Sequence, residues 1–324
     1  MSKAIRIHAH GGPEVMRWED VPTPEPGPGE VLVKHASVGL NFIDVYIRSG
    51  LYKAPTMPVT PGMEAAGTVT ALGAGVTEVA VGDRVAYGTG PAGAYSTQRV
   101  VGVDRLVKLP DGIDFNTGAA IMLKGLTAQY LLRRTYAVKP GDTILIHAAA
   151  GGVGLIMCQW AKHIGATVIG VVSTEAKAEL ARANGAAHTV IGHANLAAEV
   201  KRITGGAMLP VVYDSVGKDT FMASLDCLRP FGLMVSFGNA SGPVTGIDVG
   251  LLGAKGSLYL TRPTLATYAA KRDDLVAASK DLFGVVQSGA VHIAVNQTFP
   301  LQDAGAAHTA LESRKTTGST VLIP

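Results

Sequence analysis

Between Gln129 and about Thr261, short apolar runs recur roughly every twenty residues, separated mostly by stretches of helical periodicity. The runs Thr143–His147, Thr167–Val172, Ala187–Ile191, Leu209–Asp214, Leu233–Phe237 and Ser257–Thr261 predict strands. Several place Val and Ile on successive positions, as strands covered on both faces do. Six such strands with crossovers match a doubly wound α/β domain of the Rossmann type, predicted over residues 126–261 with a six-stranded parallel sheet.

The flanks follow a different rhythm. Alternating positions at Ala4–His8, Glu30–Ser37, Ala66–Leu72 and Arg84–Tyr87 predict short strands among many Gly and Pro residues. The run Pro22–Gly29 reads as a stiff loop, because strand pattern resumes directly after it. Beyond Arg262 lies a long helical stretch, about Tyr268 to Ser288, then a strand, a helix and a strand. That tail is too short to bury a core of its own. It is predicted to rejoin the first domain, giving a mostly β domain over 1–125 and 262–324 with the Rossmann unit inserted.

One turn carries chemistry. The first Rossmann strand runs into Ala148-Ala149-Ala150-Gly151-Gly152-Val153-Gly154, and a helical pattern (Leu155–His163) follows. Glycines let backbone approach a diphosphate, and a helix N-terminus offers unpaired N–H groups and partial positive charge. Ala149 stands where a G-x-G-x-x-G run has its first glycine. Strand, turn, helix and strand in this order predict a dinucleotide site, with a turn in another kind of α/β sheet as the alternative.

Composition removes several function classes. The 324 residues are 47% hydrophobic and 16% charged, with 40 glycines and a net charge of only +3. The basic residues are scattered, whereas a nucleic-acid footprint needs them clustered, so no nucleic-acid partner is expected. No apolar run approaches the roughly 20 residues of a membrane span. Met1–Arg6 leads into alternation and not into an apolar signal core, so a cytoplasmic protein is expected. Cys158 and Cys227 sit in apolar surroundings and read as buried, inert thiols; two cysteines make neither a disulfide scaffold nor a four-cysteine zinc lobe. The sequence holds no Ser-His-Asp, Cys-His or H-E-x-x-H constellation, and His147 reads as a structural hydrogen-bonder.

A β domain, an inserted Rossmann domain and a returning tail resemble the medium-chain dehydrogenase/reductase superfamily. The runs His10–Val15, Gly39–Gly50 (with N-F-I-D-x-Y-x-R-S-G), Leu123–Ala128 and His147–Gly154 are similar to its zinc-free quinone oxidoreductases, related to zeta-crystallin. The resemblance covers essentially the whole chain and is especially close to bacterial members. It implies a GroES-like first domain, NADPH as cofactor, a quinone or other conjugated carbonyl as substrate, and a homodimer. Zinc-dependent members bind metal through a Cys, a Gly-His-Glu histidine and a further Cys or Asp. The matching regions here read Gly39-Leu40-Asn41, Gly62-Met63-Glu64 and Met122-Leu123-Lys124-Gly125, so no metal is expected.

The strand end Ser173-Thr174-Glu175-Ala176-Lys177 carries hydroxyls and a lysine, and a 2′-phosphate wants donors and positive charge. Ser173, Thr174 and Lys177 therefore favour NADP, with Glu175 as a counter-signal and a solvated surface residue as the alternative for Lys177. Similar reductases place a tyrosine near this phosphate where this chain carries His193, and Arg314 matches an arginine brought from the tail. Backbone at Ala149, Gly151, Gly152, Val153 and Gly154, with Ser215, Phe237, Gly238, Asn239, Thr261 and Arg262 at later strand ends, is expected along the cofactor. Asn41 is the leading candidate to donate to a substrate carbonyl or hold the cofactor ribose, with a plain turn residue as the alternative. Tyr46 and Tyr52 could offer a proton, stack on a flat ring, or simply pack. Asp44 is expected to order this loop beside the cofactor, and Lys124 and Thr127 to face it from a helix entrance, the lysine steadying a developing oxyanion or meeting a phosphate. Reduction of activated C=C bonds in enones or enals is the competing activity. An AU-rich RNA-binding or crystallin-like structural role is the competing class.

Overall fold

The flanking strands form β1 (Ser2–Ile7), β2 (Met16–Val21) and β3 (Glu30–Gly39), then helix α1 (Phe42–Ser49). β4 (Glu64–Leu72), β5 (Arg84–Tyr87), β6 (Gln98–Gly102), β7 (Val107–Lys108) and helix α2 (Phe115–Tyr130) follow. The structure is a computed structural model that describes residues 1–313 and 315–324. It separates into two units. The first comprises Met1–Leu126, Ala269–Gln287 and Ile293–Pro324; the second comprises Thr127–Tyr268 and Ser288–His292.

The second unit alternates β8 (Thr143–His147), α3 (Gly152–Ile164), β9 (Thr167–Val172), α4 (Glu175–Ala183), β10 (His188–Ile191) and α5 (Leu196–Ile203). It continues with β11 (Leu209–Asp214), α6 (Phe221–Leu225), β12 (Leu228–Ser236), α7 (Gly250–Ala254), β13 (Tyr259–Thr261) and α8 (Leu265–Tyr268). Its six strands are parallel in the order β10-β9-β8-β11-β12-β13, the doubly wound arrangement whose winding reverses between β8 and β11. Leu145, Ile169, Val212 and Met234 from its central strands are fully buried with Val200 and Leu225 from the helices.

The tail supplies α9 (Arg272–Gln287), β14 (Val295–Pro300), α10 (Ala304–Glu312) and β15 (Ser319–Ile323). β15 pairs with β3, so the mostly β sheet of the first unit runs β14-β15-β3-β4-β5-β7, with β6 also on β3. Val33, Val38, Leu40, Tyr87, Tyr95, Leu301 and Leu322 make its core. Residues 262–268 and Ser288–His292, read from the sequence as part of the first domain, cluster instead with the second. The cause is specific contact: Tyr268 stacks on Tyr130 at 4.5 Å, and Gln159 exchanges two hydrogen bonds with the His292 backbone.

The glycine turn is shaped by its neighbours. A Cβ on Gly154 would lie 2.3 Å from the Ala148 carbonyl oxygen, so the first turn of α3 presses against the end of β8. Ala149 keeps its methyl because Gly170 on β9 leaves the space; a Cβ at 170 would sit 2.8 Å from the Ala149 methyl. The missing glycine of the turn is compensated on the adjacent strand.

A buried carboxylate ties the same strand ends together. Asp214 Oδ1 accepts from the Val216 and Gly217 N–H groups, and Oδ2 from the Thr220 and Ser224 hydroxyls at 2.7 and 2.8 Å. Because Ser224 gives its proton to Asp214, His147 Nε2–H must donate to Ser224 Oγ (2.8 Å). That polarity is opposite to the activation of a serine nucleophile, and it gives His147 the structural role expected of it. Asp214→Ala strands four donors and should cost about 3 kcal/mol or more, read in calorimetry as a lower unfolding temperature. Asp214→Asn, which keeps one acceptor oxygen, should cost less.

Candidate active site

Two groups of residues emerge, one in each unit. In the second unit, the glycine turn sits at the carboxyl end of β8 with the N-terminus of α3 behind it, and Gly151 is the N-cap. Ala149 and Gly154 are buried; Gly151, Gly152 and Val153 are half-buried. Ser173 and Thr174 are exposed at the end of β9, and Thr174 caps α4 by accepting from the Lys177 N–H. Glu175 bonds Arg182 (2.6 Å), whose other amino group reaches Thr189 on β10. The counter-signal carboxylate is thus partnered along its own helix. His193 is exposed in the loop after β10, and its carbonyl accepts from the Leu196 N–H.

The later strand ends are held by backbone. Phe237 N–H donates to the Asp214 carbonyl, and Ala240 N–H to Ser215. Arg262, one residue past β13 and Thr261, donates to the carbonyls of Ser236 and Gly238, beside Asn239. Thr127 is buried on α2. Arg314 lies outside the described residues.

In the first unit, Asn41 lies two residues past β3 as the N-cap of α1, and Lys124 belongs to α2; both are buried. Between them lies Glu64, the first residue of β4, with no exposed surface. Glu64 Oε1 accepts from Asn41 Nδ2 (2.9 Å) and Lys124 Nζ (3.3 Å), and Oε2 accepts from the Leu123 N–H. Lys124 also donates to the Leu40 carbonyl at 3.0 Å. From the sequence, Glu64 is legible only as a possible metal ligand. Its oxygens are instead taken up by protein donors, and the described residues hold no group of three His, Cys, Asp or Glu that could bind an ion.

A second buried chain holds α1. Asp44 Oδ2 accepts from the Asn41 N–H (2.9 Å) and the Tyr95 hydroxyl (3.1 Å). Arg48 can only donate, so His308 Nδ1 accepts from it (3.1 Å), which leaves Nε2–H to donate to the Tyr95 oxygen (3.0 Å). Arg48 also grips Glu312 with two bonds of 2.8 Å. Asp44 and Arg48 are four residues apart, hence on one face of α1. That spacing was readable; their partners Tyr95, His308 and Glu312 were not. Tyr46 and Tyr52 meet edge to face at 5.3 Å, with Phe42 beyond Tyr46.

Residues 27–111 match the alcohol dehydrogenase GroES-like domain, and residues 152–284 the zinc-binding dehydrogenase domain. The chain is 57% identical to a quinone oxidoreductase of Pseudomonas aeruginosa over all of both chains. It belongs to the quinone oxidoreductase family. The crystal structure of Escherichia coli quinone oxidoreductase complexed with NADPH superimposes with a TM-score of 0.97 at 49% identity, covering both chains completely. A 2-haloacrylate reductase of Burkholderia is 48% identical over the whole chain and 99% of its own length. The matched second domain is named for zinc, while the runs Gly39–Asn41, Gly62–Glu64 and Met122–Gly125 of this chain contain neither Cys nor His.

Burial pushes the Asp44 carboxyl up to about 7, against hydrogen bonds from Asn41 and Tyr95 that lower it. The folded chain therefore holds a proton that the unfolded chain releases near 3.8. This contribution to stability is complete below that value and is lost as pH rises through 7. Burial lowers His308 to about 3 and His35 to about 4, so their contributions are present above 6.5 and disappear as pH falls. The melting temperature should decline on both sides. Asp44→Asn should flatten only the alkaline decline, which a pH series of thermal melts will show.

Proposed function

We propose that this chain is a zinc-independent, NADPH-dependent quinone oxidoreductase. The full-length likeness to the NADPH-bound Escherichia coli enzyme carries the reading most directly. The second unit's residues fit a dinucleotide: the Gly154 approach leaves no side chain over the turn, and the N-terminus of α3 offers N–H groups to a diphosphate. When bound, the reduced nicotinamide supplies the hydride.

The chain's own groups bind and orient. The glycine turn receives the diphosphate, and Ser173, Thr174 and Lys177 the 2′-phosphate, with Glu175 paired to Arg182. One Asn41 N–H is taken by Glu64, and the other points the amide's donor capacity at a substrate carbonyl. Lys124 spends two donors on Leu40 and Glu64 and offers its remaining charge to the oxygen on which negative charge develops. Phe42, Tyr46 and Tyr52 form an aromatic wall suited to a flat ring. Reduction of activated C=C bonds is the second reading, favoured by the 2-haloacrylate reductase relative.

We assign the chain to the cytoplasm, where the free thiols Cys158 and Cys227 would stay reduced; burial raises both to about 12. We further assign a homodimer formed through β13. That strand ends its sheet, and Tyr259, Leu260 and nearby Phe231 are exposed beside it. An unpaired apolar strand edge is a template for a second copy.

NADPH should be preferred to NADH at least about tenfold in kcat/KM. Lys177→Ala should raise KM for NADPH with little change for NADH. Steady-state rates across benzoquinone, naphthoquinone and 2-alkenals will rank the two activities; faster turnover of alkenals than of quinones would make C=C reduction the principal one. Tyr259→Lys should shift the molecular mass in light scattering from dimer to monomer.

A further inference from the structure

Glu64 draws together three separate pieces of backbone. Asn41 lies at the junction of β3 and α1, Glu64 opens β4, and Leu123 and Lys124 belong to α2. One carboxylate oxygen receives Asn41 and Lys124; the other receives the Leu123 N–H. The niche is closed by backbone. A Cβ on Gly39 would collide with the Glu64 side chain and with the Ala119 carbonyl, so Gly39 packs directly against the carboxylate. Nothing in the hydride transfer itself requires a second carboxylate at this point, and burying one is costly unless donors surround it.

We propose that Glu64 is the positioning residue that fixes the Asn41 amide and the Lys124 ammonium for the reaction. This rests on the functional reading of Asn41 and Lys124. A neutral isostere cannot do the same work, because donors face both oxygens. The amide of a glutamine must turn its own N–H groups toward a donor. One orientation keeps the Leu123 bond and releases Asn41 and Lys124; the other keeps those two and strands the Leu123 N–H. Lys124 is buried, so losing its anionic partner leaves a buried charge beside the carbonyl of Leu40.

The test compares Glu64→Gln, Asn41→Ala, Lys124→Met and the double variant Glu64→Leu/Lys124→Met. The readouts are kcat and KM with benzoquinone, melting temperature, and NADPH affinity by fluorescence titration. Glu64→Gln should lower kcat at least about tenfold while the NADPH dissociation constant stays within about threefold. The double variant buries no charge, so its melting temperature should return toward wild type. Its kcat should nevertheless fall below that of Lys124→Met, because Asn41 has lost its anchor.

A folded, NADPH-binding Glu64→Gln with wild-type kcat overturns the proposal. So does a double variant no slower than Lys124→Met, or one that fails to bind NADPH, since Glu64 would then serve the fold alone. If Asn41→Ala and Lys124→Met both keep full kcat, the functional reading of those two residues has failed instead.

Discussion

A carboxylate removed from water must be surrounded by donors, and three such groups organise this molecule. Asp214 ties the end of β11 to the start of α6 and, through the Ser224 hydroxyl, to His147 at the end of β8. Asp44 pins the backbone entering α1, and Glu64 joins β4 to that junction and to α2. Each takes its donors from residues that hydrophobic packing alone would leave free to shift. The cores determine which layers meet; the buried acids determine where the polar groups at the layer edges stand.

The two units express this differently. In the second, Asp214 is satisfied by neutral hydroxyls and N–H groups, and the result is a rigid rim under a backbone-lined turn. In the first, two acids share the neighbourhood of one ammonium. Glu64 contacts Lys124 directly, and its charge helps to raise Asp44 toward neutrality. A pair of this kind adds little net stability, which suits a site in which orientation is the product.

Much of this was legible in the sequence, and the remainder has identifiable causes. The strands of the Rossmann unit announced themselves because parallel strands covered on both faces must be continuously apolar. β2, β6 and β7 were not anticipated; β2 is polar and partly open, and β7 has two residues. Asn41 and Lys124 are conspicuous as an amide and an ammonium in the runs that carry the family resemblance, whereas the donors around Glu64 come from segments far apart in the chain and leave no local signal. Arg48 and Glu312 are separated by 264 residues, a pairing no local pattern encodes. The compensation of Ala149 by Gly170 was equally hidden, since it depends on which strands are neighbours.

The return of residues 293–324 to the first unit has a consequence for the order in which a nascent chain can acquire structure. β15 lies between β14 and β3, and α10 supplies the partners of Arg48 and Tyr95. The helix carrying Asp44 therefore lacks half of its polar supports until the ribosome has released those later residues. The Rossmann unit needs only five residues beyond Tyr268 to be whole. Synthesis would then complete the dinucleotide-binding unit first, while the segments bearing Asn41 and Lys124 wait for contacts of high sequence separation that form slowly. In this chain the earliest-made strands belong to the last-finished fold.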